Sequence, residues 1–453
     1  MKLHHALLTF AAVGALGVGS AAAADLKYPV DGDARFNWKS YHDFAATHDL
    51  KGQTVSIFGP WLSGDKEGWE IVLAYFEAAT GAKVENAGSD SFEQQIVIDT
   101  QAGSPANIAI FPQPGLAADV AAKGLLVPLG DETKQWLIDN YAAGQSWVDL
   151  STYKDKSGNP QLFAFPWKAD LKSLVWYVPE NFKEAGYEIP QTMEDLKALT
   201  EQIVADGGTP WCIGLGSGAA TGWPATDWVE DFMLRTQPPE VYDGWVSNEV
   251  KFDDPRIVGA IDEFGWFAKN DKFVDGGAAA VASTDFRDSP KGLFASPPKC
   301  YMHRQASFVP AFFPEGTELG TDASFFYFPA FAGKDLGRPV LGGGTLFAIT
   351  KDSPAARAFI EFLETPISHE VAMAAWNFLT PFKAVNLDVY PNDTLRGENQ
   401  IMLDATTFRF DGSDLMPGKI GAGAFWTGMV DYTGGKSADA VAKEVQKSWD
   451  AIK

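Results

Sequence analysis

From Thr54 the chain alternates short apolar runs with helical patterns of one apolar face, and that alternation limits what it can fold into. Val55-Ser56-Ile57-Phe58 is strand-like and Gly59-Pro60 turns it, after which Trp69, Val72, Leu73 and Phe76 recur at one-face helical spacing until Gly81. Ala82 to Asn86 reads as a second strand. Phe92, Ile96, Val97 and Thr100 mark a helix closed by Gly103, and Asn107 to Phe111 a third strand. A β-α-β-α-β series of this kind implies a parallel sheet with helices on both faces and a ligand crevice beyond the carboxyl ends of the strands.

A second α/β unit follows Pro166. Lys172 to Val178 is strand-forming, Pro190 and Thr192 introduce a helix carrying Met193, Leu196, Leu199 and Ile203, and Gly207-Gly208 leads to an expected strand from Trp211 to Leu215. Gly216 to Phe331 is richer in Gly, Pro and aromatics, and Asp254 to Ala268 is helix-like within it. A strand from Thr345 to Ile349 precedes Ser353-Pro354, an N-cap and first-turn proline, with Ala355, Phe359, Phe362 and Leu363 on one helical face. Pro366 starts another helix, and Ala438, Val441, Ala442, Val445 and Trp449 mark the last.

The N-terminus is an export signal: a basic start, an apolar run from Ala6 to Val18, and small residues at Ala22 and Ala24. Cleavage is expected near Ala24, with the mature chain beginning at Asp25. The run is broken by Gly14 and Gly17 and is too short to anchor in a membrane. No cysteine stands at the cleavage point to take a lipid. Removing Lys2 with the signal moves the formal charge from -23 to -24, spread along the chain. Nucleic acid and anionic lipid, which require clustered Lys and Arg, are therefore not expected as partners. Cys212 and Cys300 are the only cysteines, and an oxidising compartment favours a disulfide between them. Two separate buried thiols are the alternative, since pairing needs Cα atoms within about 7 Å. Two cysteines without clustered histidines make no zinc site, and no cofactor is expected.

Phe165-Pro166-Trp167, Leu174-Val175-Trp176-Tyr177-Val178-Pro179-Glu180-Asn181-Phe182-Lys183-Glu184-Ala185-Gly186 and Ile189-Pro190-Gln191-Thr192-Met193-Glu194-Asp195-Leu196 resemble a segment of the family 1 extracellular solute-binding proteins, the receptors of ABC sugar importers. Gly342-Gly343-Gly344-Thr345-Leu346-Phe347-Ala348-Ile349-Thr350-Lys351-Asp352-Ser353-Pro354 is a second match. Within the family the chain looks most similar to the periplasmic α-glucoside-binding receptors, partly through Trp211-Cys212 and Lys299-Cys300-Tyr301. The resemblance implies the two-lobed (type II) periplasmic binding fold, two α/β lobes joined by hinge strands around a ligand cleft. It implies a signal at 1–24, a first lobe from 25–165 and 341–379, and a second from 166–340 and mainly 380–453. Hinges are expected near Phe165-Pro166, Val340-Leu341 and Leu379-Thr380-Pro381. The implied function is to bind a sugar in the periplasm as a monomer and deliver it to permease subunits, without catalysis. An α-glucoside such as trehalose, sucrose, maltose or palatinose is the expected ligand.

A sugar offers apolar C–H faces and a rim of hydroxyls, so its site needs aromatic platforms beside carboxylates, amides and cations. Trp61, Ser63 and Asp65 follow the first strand, Gln113 the third, and Trp167, Lys168 and Asp170 sit at the first hinge. In Gly222-Trp223-Pro224-Ala225-Thr226-Asp227-Trp228, Trp223 is the stacking candidate. Trp228 fits a core helix, and Asp227 suits either ligand contact or that helix's N-cap. His303, Arg304, Gly343, Thr345, Trp376, Arg409 and Trp426 complete the candidates. For Arg409, pairing with Asp411 or Asp414 is the alternative, and for Gly343, a bend at the hinge. Replacing Trp223 or Trp167 should weaken binding.

Other chemistry is less well supported. Gly214-Leu215-Gly216-Ser217-Gly218-Ala219 fits a dinucleotide fingerprint, but an exported chain meets little NAD and no clear helix follows. The serious rival is a secreted glycoside hydrolase, for which Asp227, Glu230 and Asp231 offer a carboxylate pair. An adhesin would instead show exposed apolar patches and no closure on a ligand.

Overall fold

The computed structural model describes residues 26–142, 144–376 and 378–452; the export signal and its cleavage point lie outside them. The expected series is present as strand Thr54–Gly59, helix Ser63–Thr80, strand Lys83–Gly88, helix Phe92–Gln101 and strand Ile108–Phe111. Gly81 ends the first of these helices at φ 73°, its N–H donating to the Glu77 carbonyl. The three strands are parallel, with Thr54–Gly59 in the middle. Along the third, Ile108 and Ile110 join one core while Ala109 and Phe111 join another. Both faces are therefore covered, as a parallel sheet requires. Trp69, Val72 and Phe76 pack on one face with Phe359 and Phe362 of helix Pro354–Leu363, and Phe92, Ile96, Leu116 and Val120 cover the other.

The sheet does not stay parallel. Strand Pro339–Ile349 runs antiparallel to Ile108–Phe111 on one side and to Ala164–Leu171 on the other. Thr407–Phe410 lies parallel beside its first four residues. The cause is the path of the chain: it leaves this lobe along Ala164–Leu171 and returns along Pro339–Ile349, so the returning strand meets the outgoing one head to tail. The three glycines between them allow a close approach. A Cβ at Gly344 would lie 2.5 Å from the Lys168 carbonyl oxygen, and one at Gly343 2.9 Å from Lys172 Cε.

The last crossing lies further along than the sequence suggests. The Leu379 carbonyl accepts from Ala169 N–H beside the outgoing strand. The chain then stays with the first lobe, where Asn386 Nδ2 donates to the Arg35 carbonyl at 2.9 Å and Tyr390 Oη to the Phe378 carbonyl at 2.8 Å. Thr407–Phe410 makes the crossing, after which Met416, Ile420 and Phe425 enter the second core.

In the second lobe Leu174–Tyr177 is the central strand of a three-stranded antiparallel sheet with Met302–Arg304 and Ser324–Tyr327. Helices Met193–Ala205, Trp223–Thr236, Pro255–Ala268 and Ala438–Ala451 build the core around it. The first of them opens on a capping box, with Thr192 and Asp195 each accepting from the other's backbone N–H. Trp211 to Leu215 does not form the expected strand. Trp211 N–H donates to Phe273 and Cys212 N–H to Met302, so successive donors serve different segments and no ladder builds. Cys212 and Cys300 form a disulfide with Cα atoms 5.5 Å apart. No helix among the described residues is long and apolar enough to cross a membrane.

Candidate ligand-binding site

The carboxyl ends of the first lobe's strands, the crossing strands and the second lobe together line a cavity of about 130 Å³. Trp61 follows the first strand and Asp65 stands in the first turn of the helix after it, Glu93 stands in the first turn of the helix after the second strand, and Gln113 lies just past the third. This is where a strand's carboxyl end places ligand groups in an α/β sheet. The crossing strands contribute Lys168, Asp170, Gly344 and Thr345, and the second lobe faces them with Trp223, Phe286, Arg287, Phe308 and Trp426.

The indoles are held edge to face. Trp61 meets Trp376 at 4.9 Å and 89°, and Trp223 meets Phe286 at 5.0 Å and 73°. Trp376 Nε1 donates to Asp65 Oδ1 at 3.1 Å. The Lys168 ammonium is ion-paired with Asp170 and lies 5.3 Å from the rings of Trp376 and Phe308. Thr345 Oγ1 and Gln113 Oε1 are buried at the wall without a hydrogen-bond partner.

A buried charge cluster forms part of the second-lobe wall. Lys172 Nζ donates to Asp227 Oδ1 at 2.9 Å and to Asp411 Oδ2, while Ser413 N–H donates to Glu230 Oε1 at 2.8 Å. The carboxylates of Asp227, Glu230 and Asp411 lie within 4.8 Å of one another, a spacing that suits a cation, and the cation between two of them is the Lys172 ammonium. Burial alone would lower the lysine's pKa, but Asp227 and Asp411 more than offset it and hold it well above the usual value. Burial pushes Asp227 and Glu230 up, and the Asp411 charge pushes both further. Asp411 itself is held low by Lys172 against its own burial. The cluster is thus organised around the Lys172 and Asp411 pair, with Asp227 and Glu230 pushed toward their protonated forms.

The structure brings Trp61, Asp65, Gln113, Lys168, Asp170, Trp223, Thr345 and Trp426 to the cavity. It keeps the other expected residues out. Trp167 and Ala169 alternate with Lys168 and Asp170 along their strand, so the indole turns into the core, 4.4 Å from the Phe378 ring. Trp376 supports Asp65 from behind, and Ser63 only opens its helix. Gly343 is occupied with strand packing, and Gly344 meets the cavity instead. Asp227 is not among the residues lining the cavity and is not an N-cap, because its helix begins at Trp223, after Gly222, and the carboxylate faces Lys172. His303 is buried with Nδ1 2.9 Å from the Cys212 carbonyl, and burial pushes its pKa down to about 4. Arg304 donates to Asp231 Oδ2 at 2.7 Å. Arg409 forms a forked pair with Asp243, at 2.6 and 2.9 Å, and with neither Asp411 nor Asp414.

Glu93, Lys172, Phe286, Arg287, Phe308, Asp411 and Asp414 line the cavity without having been singled out from the sequence. Glu93 follows a strand end, the same signal that marks Asp65 and Gln113. Phe286, Arg287 and Phe308 come from the aperiodic middle region, which offers no such signal.

Burial pushes the carboxyl groups of Asp65 and Glu93 up to about 7. In the unfolded chain both ionise near pH 4. Folding therefore takes up protons between about pH 4 and pH 7, and stability falls as pH rises through that window. The thermal midpoint should decline across it, and the Asp65→Asn, Glu93→Gln double variant should decline less. A midpoint that rises with pH there would contradict this assignment.

A cavity shared by two α/β lobes and floored by the strands that join them defines a two-lobed ligand-binding protein. The chain belongs to the bacterial extracellular solute-binding protein family, which it matches over residues 60–370. It is 69% identical over 432 residues to the alpha-glucosides-binding periplasmic protein AglE of Rhizobium meliloti (strain 1021), covering 95% of this chain and 94% of that one. It is 40% identical over 402 residues to the osmoprotective compounds-binding protein GgtB of Synechocystis, covering 88% and 93%. Its fold is similar to that of the bacterial solute receptor AcbH, with TM-score 0.74 and 18% identity, covering 88% of this chain and 99% of that one. It is also similar to maltose-bound T. maritima MalE3, with TM-score 0.67 and 15% identity, covering 89% and 100%.

Proposed function

We propose that the protein is a periplasmic receptor that binds α-linked glucosides and carries them to the permease of an ABC importer, with no catalytic step. The observation that carries this reading is the cavity between the lobes, in which indoles from both sides face carboxylates, an amide and ion-paired lysines. The identity to AglE supports the ligand class. Trp61, Trp223 and Trp426 are the platforms for sugar faces. Asp65, Gln113, Lys168, Asp170 and Thr345 are the hydroxyl partners.

Closure is the proposed signal to the permease. Asp90 of the first lobe pairs with Arg287 of the second at 2.7 Å, and Gly418 N–H donates to Asp119 Oδ2 at 3.0 Å. A sugar that bridges the lobes would stabilise this arrangement by population shift, with the three crossing segments as hinge. Cleavage near Ala24 would release the chain as a monomer into the periplasm.

The hydrolase alternative lacks its carboxylate pair. Asp227, Glu230 and Asp231 are fully buried behind the wall, with Asp231 engaged by Arg235, Arg304 and Ser173. A thermal-shift screen with trehalose, sucrose, maltose and palatinose, assayed in parallel for released monosaccharide, tests the proposal. Stabilisation without products is the expected result, and turnover would return the case to the hydrolase.

A further inference from the structure

Three bases line the cavity and each is already matched: Lys168 with Asp170, Lys172 with Asp411, Arg287 with Asp90. Asp65, Glu93 and Asp414 remain. Asp65 is served by Trp376 Nε1 and by the nearby charge of Lys168. Glu93 and Asp414 have less support. Glu93, in the first turn of its helix, has Gln113 Nε2 as its side-chain partner at 3.0 Å. Asp414, in the short helix Gly412–Leu415, also lines the cavity and forms no ion pair among the described residues. Burial and the neighbouring Asp411 charge push Asp414's carboxyl up against the pull of Lys172, and Glu93 adds a smaller push.

Gln113 supplies an independent sign of what belongs there. Its side chain is 5% exposed, its amide N–H is spent on Glu93, and its Oε1 is left buried at the cavity wall with no donor. Gln113 Oε1 asks for a hydrogen-bond donor, and the two carboxyl groups, which burial pushes toward their protonated forms, would ionise to meet a positive charge placed between them. A sugar hydroxyl brings one donor and no charge, whereas an ammonium brings three donors and a charge. The Trp223 and Trp426 indoles on the same second-lobe wall favour an organic cation further. Calcium is the poorer fit, since it takes 6–8 oxygen ligands.

We propose that the space bounded by Glu93, Gln113 Oε1 and Asp414 is a subsite for a protonated amine on the ligand, so that the receptor favours amino-substituted glucosides over their all-hydroxyl parents. The inference rests on the glucoside reading given above. Between the two carboxylates an ammonium removes the opposition that closure otherwise imposes, so the amine gains most in the closed form.

Calorimetry decides it, using the disaccharide that stabilises the protein most in the screen and its mono-amino-deoxy analogues, one for each hydroxyl position. At neutral pH at least one analogue is expected to bind about tenfold more tightly than the parent. In Glu93→Gln and in Asp414→Asn that advantage should shrink to threefold or less, whatever becomes of the parent's own affinity. If no analogue exceeds the parent by more than threefold in the unaltered protein, the subsite is wrong, whether or not the variants fold. It is equally wrong if the advantage survives in both variants. Parent binding without amine preference overturns this inference alone; failure of every disaccharide and every analogue overturns the glucoside reading with it.

Discussion

Lys172→Met is expected to lower the unfolding free energy by about 3–5 kcal/mol, the range seen when one partner of a buried ion pair is removed. The methionine fills much the same volume, so the loss is mainly electrostatic. Asp411 is left ionised at 2% side-chain exposure beside Asp227 and Glu230, with the lysine that pairs with it gone. Asp411 can escape by taking a proton, so the variant should be markedly more stable in mild acid than at neutral pH, a steeper dependence than in the parent. Urea unfolding at two pH values measures both effects. A loss under about 1 kcal/mol at neutral pH would mean that the carboxyl groups already neutralise one another without the lysine.

Trp223→Ala is the substitution expected to cost binding most, with affinity for the best glucoside falling more than tenfold, or about 1.4 kcal/mol. Trp223 is the half-buried indole of the cavity, braced by Phe286 and Phe308 and with the Lys172 ammonium 5.5 Å from its ring. Trp61 and Trp426 are held deeper, at 9% and 2% exposure. Trp167→Ala should behave oppositely to a binding defect, destabilising the first core by about 3–5 kcal/mol as large aromatic truncations do. Arg409→Ala, which breaks the pair with Asp243 and a hydrogen bond to the Phe408 carbonyl, both away from the cavity lining, serves as the control that should bind normally. Unchanged affinity in Trp223→Ala would remove that residue from the site.

The contrast between Trp223 and Trp167 marks where sequence reasoning worked. The first three strands and their helices were legible because apolar residues at period 2 and period 3.6 declare the buried faces directly. Residues just past those strands, Trp61, Asp65 and Gln113, reach the cavity for the same reason. Trp167 was misplaced because the segment reads as a hinge, although Trp167, Ala169 and Leu171 alternate with Lys168 and Asp170 as one core-facing side of a strand does. The antiparallel second sheet was not legible either. Its three strands come from segments far apart, Leu174–Tyr177, Met302–Arg304 and Ser324–Tyr327, and no local period links them. Lys172 was hidden inside a strand-forming run, and Asp227 looked like a loop residue until the helix was seen to start at Trp223.

The late arrival of Pro339–Ile349 also sets an order in time. Until that strand emerges, some 230 residues after Phe111, Ile108–Phe111 has one unpaired edge and the first lobe cannot finish its sheet. Closing so long a loop is slow compared with forming local helices. Cys212 and Cys300 both lie inside the inserted segment, so they can be joined before the first lobe is complete. The leading lobe therefore completes its sheet last, around an insert whose own core and disulfide can already be in place.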